Sequence, residues 1–459
     1  MSILSTIKGW FSVLLKTRAK DEFNITSIIS EEVEKLIDYC ARVYRGQPDW
    51  EDEQNHIKTV NFAKSICSET ARLVTLGIGV HLDGSARAEW LQQQVDDLYY
   101  EIRKWVEYGC AFGTVILKPN GDSIKIYLPG QYEITEQNGG KITGAVFHNA
   151  AYNPAKEKYY ERLEYHRFDG DAYVITNRCF VGKSANACDR PIDIKNTPWA
   201  GYLDEARILN VERPLFAPLR TPHANNLDAT CPVTLPIFSD ALEELRDLDV
   251  AYSRNAKEIE DSKRMVLLDS DRILSGGKRG ELDRVSLPDY IKLVDGDSTA
   301  ESNIYHEINP ELNTDTRLSG INALLSQIGY KVGFSNGYFV FNESTGIQTA
   351  TGVEAEQQRT VQFIKDCRDQ LECCIADLLY ALSKIADLYQ LAPMGDYEIA
   401  YDFGDITYSR EEDRARWWGY VQAGKVPAWM FFVKFEGMTE DEAKAMVDEA
   451  KPTEPTLFG

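Results

Sequence analysis

The stretch Thr351-Gly-Val-Glu-Ala-Glu-Gln-Gln-Arg-Thr-Val-Gln-Phe-Ile-Lys365 opens the longest helical pattern of the chain. Thr351 and Glu354 have the spacing of a capping box, which satisfies the free amides at a helix start. Large apolar residues then recur at helical spacing, and the pattern predicts a helix over residues 352–392. At 1.5 Å per residue this helix is about 60 Å long, which is unusual for a globular domain and typical of a column in a larger assembly. The members of the apolar stripe are Val361, Ile364, Leu371, Ile375, Leu378, Leu382, Ile385 and Leu388.

A long loop and another helix precede this column. The loop, residues 332–351, joins the aromatic run Phe334-Ser-Asn-Gly-Tyr-Phe-Val-Phe341 to the small, polar run Thr345-Gly-Ile-Gln-Thr-Ala-Thr-Gly352. A loop of roughly twenty residues without secondary structure is normally functional. The helix before it is predicted over residues 313–331, because apolar residues recur along one side.

Another helix comes earlier in the chain, and a small insertion separates it from the helix at residues 313–331. Pro236 precedes Asp240, whose carboxylate can cap a helix start, and an apolar stripe follows, so a helix is predicted over residues 237–264. The insertion, residues 265–312, mixes short strand patterns with a glycine-rich turn. It is too short for a large core of its own, and we expect a small α/β unit.

The N-terminal part changes its pattern near residue 113. Residues 28–110 have helical spacing, whereas residues 114–180 hold short β-branched runs separated by Asn-Gly, Pro-Gly and Gly-Gly turns. The second pattern predicts an antiparallel sheet of hairpins. Residues 181–236 show little periodicity and are predicted to form either a long irregular connection or a loosely built sheet edge.

The two ends of the chain are predicted to be helical. Residues 1–24 are apolar and basic, but they lack a cleavage site and the ~20 apolar residues of a membrane span. We expect an amphipathic helix that packs on its own or a neighbouring subunit. Residues 393–459 are predicted to hold a strand near 397–403 and two short helices, the second capped by Thr439.

The composition excludes several classes of function. There are 72 acidic against 50 basic residues, a net charge of -22, which argues against a broad basic surface that binds nucleic acid. The nine cysteines and six histidines lack the spacing of a metal site or a disulfide framework. Gly182-Lys-Ser184 resembles the end of a phosphate-binding loop, but Asn177 stands where glycine is needed. We therefore predict a non-enzymatic protein with no catalytic residue, metal or cofactor.

Several short motifs occur in a telling order. They are Tyr108-Gly-Cys-Ala-Phe-Gly113, Ser239-Asp-Ala-Leu-Glu-Glu-Leu245, Tyr252-Ser-Arg-Asn-Ala-Lys-Glu-Ile-Glu260, Ser409-Arg-Glu-Glu412 and Gly437-Met-Thr-Glu-Asp-Glu-Ala443. Together with the order helix, small insertion, helix, long loop and very long helix, they make the chain resemble the portal proteins of tailed bacteriophages. The resemblance is to the family of long-tailed phages of Gram-positive bacteria in particular, and it extends over most of the chain.

The resemblance implies an α+β portal fold with named parts. These are an α/β wing (25–236, with a return strand near 397–403), a two-helix stem (237–264 and 313–331) and a small α/β clip between its helices (265–312). The channel loop is 332–351, a long crown-directed helix is 352–392, and 393–459 hold the return strand and a small crown.

The resemblance also implies a function and partners. Twelve copies would form a ring at one capsid vertex, the channel for genome packaging and ejection. The ring would dock the terminase large subunit and a head-completion adaptor or tail protein, contact the major capsid and scaffolding proteins, and pass double-stranded DNA. It would lie in the virion after assembly in the host bacterial cytoplasm, without a membrane. Another virion structural protein, a minor capsid or adaptor subunit, is the alternative, with a nucleic-acid enzyme behind it.

Candidate contact residues follow from this assignment. Those facing DNA from the channel loop are Asn336, Tyr338, Phe339, Asn342 and Thr345, and those contacting partners from the clip are Lys278 and Arg279. The aromatic run could instead pack between subunits. Twelve chains at -22 sum to -264, a charge that either keeps a lumen from holding phosphate or serves solubility alone.

Overall fold

The computed structural model describes residues 15–52, 54, 56–121, 123–184, 188–261, 265–269, 291–294, 305–308, 313–341, 350–404, 410–423, 425–436 and 438–449. The chain is divided into two compact units. The first contains residues 1–75 and 80–401, and the second contains residues 76–79 and 402–459. Helices and strands both contribute to the first unit, and the fold is of the mixed α+β class that the sequence predicts.

Four helices dominate the N-terminal part of the first unit. Residues 15–23 form α1, followed by α2 (Glu31–Tyr44), α3 (Phe62–Val74) and α4 (Ala86–Phe112). Leu15 and Ala19 of α1 are buried against the large sheet. The described part of the N-terminal segment is thus an amphipathic helix packed on its own chain. A short strand, β1 (Gly79–Gly84), interrupts the region expected to be helical.

Six strands form the large sheet, in the order β4, β5, β6, β7, β8, with β9 also paired to β7. Their bounds are β4 (Tyr132–Asn138), β5 (Lys141–Asn153), β6 (Lys158–Asp169), β7 (Ala172–Gly182), β8 (Arg190–Ile192) and β9 (Glu205–Leu209). All pairings are antiparallel, as the hairpin pattern predicts. The strand β2 (Thr114–Asn120) lies between β3 (Ser123–Tyr127) and β10 (Ala217–Arg220) in a second sheet.

Residues 181–236 were expected to form either a long irregular connection or a loosely built sheet edge, and the structure contains edge strands here. Three short strands, β8, β9 and β10, add to the edges of the two sheets. Pro191 and Pro218 lie within β8 and β10. Proline hides such edge strands from a propensity-based prediction, although an edge strand tolerates the missing amide.

Three long helices follow a 3-10 turn at Ser239–Ala241. They are α5 (Leu242–Asp261), α6 (Thr314–Val332) and α7 (Ala350–Tyr389), each within a few residues of its predicted bounds. Between α5 and α6 stand β11 (Met265–Asp269), β12 (Ile291–Val294) and β13 (Tyr305–Ile308). β11 pairs parallel to β12 and antiparallel to β13, a strand that the sequence analysis did not identify.

Two buried arginines fix α7 to the helices before it. Arg87 at the start of α4 donates hydrogen bonds to the carbonyl oxygens of Ala392 and Pro393 and to the Asp387 carboxylate, 2.7 Å away. Arg368 donates to the carbonyl oxygens of Leu73 and Val74 at the end of α3. Arg87 thereby ties the start of α4 to the segment that follows α7. Carbonyls at a helix end have no partner within the helix, and Arg368 donates to two of them at the end of α3.

The C-terminal part departs from expectation in its helix count. The strand β14 (Tyr397–Asp402) was predicted, and it pairs with β1. Three helices follow instead of two: α8 (Arg410–Gln422), α9 (Ala428–Glu436) and α10 (Glu440–Glu449). The polar composition of α8 obscures its periodicity. Thr439 caps α10 as expected, because its hydroxyl and amide both bond to Glu442.

Candidate functional site

The helices α5 and α6 form an antiparallel hairpin held by ion pairs at both ends. Near the start of α5, Glu244 accepts from Lys331 at 2.6 Å and from Gln327 at 3.0 Å, both at the end of α6. Near the other end of the hairpin, Glu258 of α5 pairs with Arg317 at the start of α6. At about 1.5 Å per residue, each helix is about 30 Å long.

The first half of the hairpin is anchored on the body of the first unit. Asp249 is buried and accepts hydrogen bonds from the Trp50 indole nitrogen at 2.8 Å and from the backbone amide of Val60 at 2.9 Å. Ser253, one turn further along α5, bonds to the backbone of Lys58. The anchor thus ends at Ser253.

Beyond this anchor the hairpin has no core. No side chain of residues 254–260 or 313–320, which we call the distal hairpin, is buried in the described part of the chain. Ile259 is 53% exposed, and Tyr252 at the boundary is 50% exposed. Small side chains on α6 border an open groove beside Phe341, which is itself half exposed. The groove is lined by Asp315, Leu318, Ser319, Asn322, Ala323, Ser326 and Phe341.

A bend fixes the direction of the chain after α6. Gly333 ends the helix with φ +118, and a Cβ there would lie 2.8 Å from the ring of Phe363 on α7. Only glycine fits this close approach. The next residue, Phe334, is fully buried, with its ring centroid 5.6 Å from that of Phe363.

Two sets of hydrogen bonds hold the bend. The Ser335 amide donates to the Thr360 hydroxyl at 2.8 Å, and the Thr360 amide donates to the Ser335 hydroxyl at 3.2 Å, with both side chains buried. Further on, the side chain of Asn322 both accepts from the Phe341 amide at 3.1 Å and donates to its carbonyl oxygen at 3.0 Å. Residues 333–341 are therefore fastened to α6 and α7.

The predicted channel residues fall into different surroundings. Tyr338 and Phe339 lie together, with ring centroids 4.9 Å apart, and both contact α3: Tyr338 donates to Glu69, and Phe339 packs edge-on against Phe62 at 5.2 Å. Burial and the Glu69 carboxylate raise the pKa of the Tyr338 hydroxyl. Asn336 is exposed.

The remaining candidates, Asn342, Thr345, Lys278 and Arg279, lie outside the described residues. The aromatic run thus packs within its own chain, an arrangement that the sequence analysis weighed only between subunits.

The residues that shape the bend were missed by the sequence analysis. Ser335, Thr360 and Asn322 are ordinary polar residues whose partners lie 25 and 19 positions away. Gly333 carried a local signal, because a glycine directly after an apolar helical stripe is a typical helix end.

Neither a metal site nor a membrane-spanning helix is found in the described residues. In the described residues, no group of three or more His, Cys, Asp or Glu side chains is placed to hold a metal ion. None of the helices in the same part of the chain combines the length and apolar composition that crossing a membrane requires.

The chain was compared with known proteins and solved structures. No family model and no curated protein matches the chain. Among solved structures, the chain is similar to a chain of the neck of a native GTA particle computed with C12 symmetry, with a TM-score of 0.41 and 9% identity. The alignment covers 92% of this chain and 98% of that one.

Proposed function

We propose that the protein is a portal subunit, one copy of a ring through which double-stranded DNA enters and leaves a phage capsid. The observation that carries the proposal is the distal hairpin, an antiparallel helix pair that carries a small sheet at its tip and has no core of its own. Exposed apolar side chains on such an element are typical of an interface with other subunits. The order of elements that the sequence shares with portal proteins supports another copy of this chain as the neighbour.

In this proposal the hairpins of neighbouring copies line a tunnel. Tyr252 and Ile259 of one copy would meet the small-residue groove of α6 in the next, which is a head-to-tail contact that closes into a ring. The net charge of -22 per chain would give the ring an acidic character, so that phosphates find no fixed position and the duplex slides.

The bend at residues 333–341 would set the point at which the channel loop leaves the hairpins that line the tunnel. Because residues 333–341 are fastened by Thr360 and Asn322, the part of the loop left to approach DNA is 342–349, which includes Asn342 and Thr345. Tyr338 and Phe339 then position the loop rather than contact DNA. The sheet at the hairpin tip, with Lys278 and Arg279 in its connection, would dock the packaging terminase and later a head-completion protein.

Electron microscopy and mass measurement of the purified full chain test the proposal. Twelve copies of 52.0 kDa predict particles of about 624 kDa with a central hole. Ile259→Asp should shift the mass toward single chains, whereas Leu209→Asp, at a similarly exposed position on the sheet, should leave rings intact. A single chain at every concentration, or rings unaffected by Ile259→Asp, would contradict the assignment of the hairpin as the subunit interface.

A loop deletion tests the DNA-facing role separately. Replacing residues 343–348 by a Gly-Ser linker should leave rings intact and reduce the DNA packaged into particles. Replacing residues 154–157, an exposed turn between β5 and β6, by a Gly-Ser linker of the same length is the control and should leave packaging normal. Normal packaging by the deleted ring would exclude the loop from DNA handling.

A further inference from the structure

A cluster of charged side chains is buried on one face of the large sheet, away from the hairpin. Arg162, Glu164 and His166 alternate along β6, and all three are at most 4% exposed. Lys118 reaches them from β2, with its nitrogen 2.9 Å from both oxygens of Glu164. Arg162 donates to the same carboxylate at 3.0 Å.

Positive charge exceeds negative charge in this cluster. Glu164 faces two cations, and a third, Lys125 of β3, donates to Asn149 at 2.9 Å beside them. His166 does not change this balance of charge. Burial lowers the pKa of its imidazole and outweighs the hydrogen bond to Glu164, so the ring is neutral. Burial and the nearby Lys118 and Arg162 lower the pKa of Lys125 to about 8. The cations repel one another, and among the described residues no carboxylate other than Glu164 pairs with them.

Arg162 also has unused hydrogen-bond donors. Its Nη2 atom bonds to Glu164 and to Asn120, but Nε and Nη1 have no acceptor among the described residues, although the side chain is fully buried. A buried donor without a partner costs roughly 1–3 kcal/mol, and more for a charged group. Native proteins rarely leave such donors unsatisfied.

Aromatic rings enclose the guanidinium group. Tyr202 lies with its ring centroid 4.3 Å from the Arg162 Cζ atom, and Trp199 lies at 5.3 Å. Both belong to the segment after β8, which also bonds to β7 through Leu203 and Asn177. A ligand here would therefore be shielded from bulk water by the two rings. Electrostatic attraction is stronger in such a shielded site than it is in water.

We propose that this cluster binds a small inorganic anion, of the size of chloride, between Arg162 and Lys125. The anion accepts hydrogen bonds from the unused donors of Arg162 and from Lys125, and it balances the excess positive charge. A water molecule could accept the same hydrogen bonds but would leave the charge unbalanced. Binding would fasten the β2–β3 turn and the segment around Tyr202 to the sheet.

Thermal unfolding of the full chain in chloride against gluconate, at constant ionic strength, tests the site. Wild-type protein should show a midpoint that rises with chloride and saturates at millimolar concentration. Lys125→Met should lose most of this rise, whereas Lys158→Met, at an exposed position on β6, should keep it. An unsaturated rise, or an equal rise in Lys125→Met, would show that only general salt effects or bound water are present.

A second measurement needs no variant. The reactivity of Lys125 toward an amine-specific reagent, followed by peptide mass spectrometry against pH, gives the pKa of its ammonium group. The reactivity midpoint should lie near pH 8 in gluconate and move to higher pH in chloride, because a bound anion favours the charged amine. A midpoint that does not differ between the two salts would overturn the proposal, whatever the ring-forming ability of the chain.

Discussion

On β6 of the large sheet, side chains on both faces are buried, Arg162 and Glu164 on one and Leu163 and Tyr165 on the other, whereas the distal hairpin buries none. The sheet places even charged groups inside and surrounds them with partners from its own chain. The hairpin instead leaves apolar side chains in water. The contrast teaches that the sheet buries its side chains against its own chain, whereas the distal hairpin does not, as the proposed contact with a second copy requires. Substitutions in the sheet should therefore lower the stability of the single chain, whereas substitutions in the hairpin should weaken ring assembly.

The largest effect on stability is expected at Glu164. Glu164→Gln removes the carboxylate that faces Lys118 and Arg162 and leaves two buried cations without a counter-charge. Breaking a buried ion pair from one side costs about 3–5 kcal/mol. Denaturant unfolding of the full chain measures the loss, and Glu157→Gln, at an exposed turn, should change little. An unchanged unfolding midpoint would contradict the description of the sheet as a self-sufficient unit.

A smaller loss is expected at the bend. Thr360→Val keeps the shape of the side chain but removes the hydroxyl that accepts from the Ser335 amide, and a buried donor left unsatisfied costs about 1–3 kcal/mol. Thr360→Ser retains the hydroxyl and should recover most of the stability. If valine and serine behave alike, the bend is held by the packing of Phe334 on Phe363 rather than by these hydrogen bonds.

The pH dependence of stability should reveal Glu133. This side chain is 3% exposed, and burial raises its pKa to about 7. The folded chain therefore binds a proton more tightly than the unfolded chain, and the stability it contributes is present below about pH 4.5 and is lost as the pH rises through 7. The slope is at most about 1.4 kcal/mol per pH unit. Glu133→Gln should flatten the stability curve between pH 5 and 7, and a parallel curve would assign the dependence to other groups.

The smallest effect on unfolding is expected in the hairpin. Tyr252→Ser changes a side chain that is 50% exposed, so the free energy of unfolding of the single chain should change by about 0.5 kcal/mol or less. The same change should weaken ring assembly, measured as the fraction of chains at the ring mass. A large loss of single-chain stability would mean that Tyr252 belongs to the core and would remove the contrast with the sheet.

The sequence predicted the features that depend on local pattern. The stripe from Val361 to Leu388 predicts α7, and the turns between residues 114 and 180 predict the hairpins of the sheet, because periodicity and turn chemistry lie within a short stretch. It did not predict β8 and β10, which contain proline, or β13, which pairs with β11 across an intervening segment of 35 residues, 270–304.

The contacts of the loop after α6 were not predicted from the sequence. The loop after α6 was identified from its length and composition, yet Tyr338 and Phe339 contact α3, more than 260 residues earlier in the chain. No local signal announces such a contact. The same holds for Arg87, whose partners at the end of α7 lie about 300 residues away.

What the sequence by itself determined was the order of elements, the acidic charge and the length of the long helix, because each is a property of neighbouring residues or of a sum over them. Only the tertiary structure decided which side chains have partners. It showed that Arg162 is buried with unused donors, that Thr360 fastens the bend, and that the distal hairpin lacks a core. The physical reason is that burial and hydrogen bonding depend on residues brought together from distant parts of the chain.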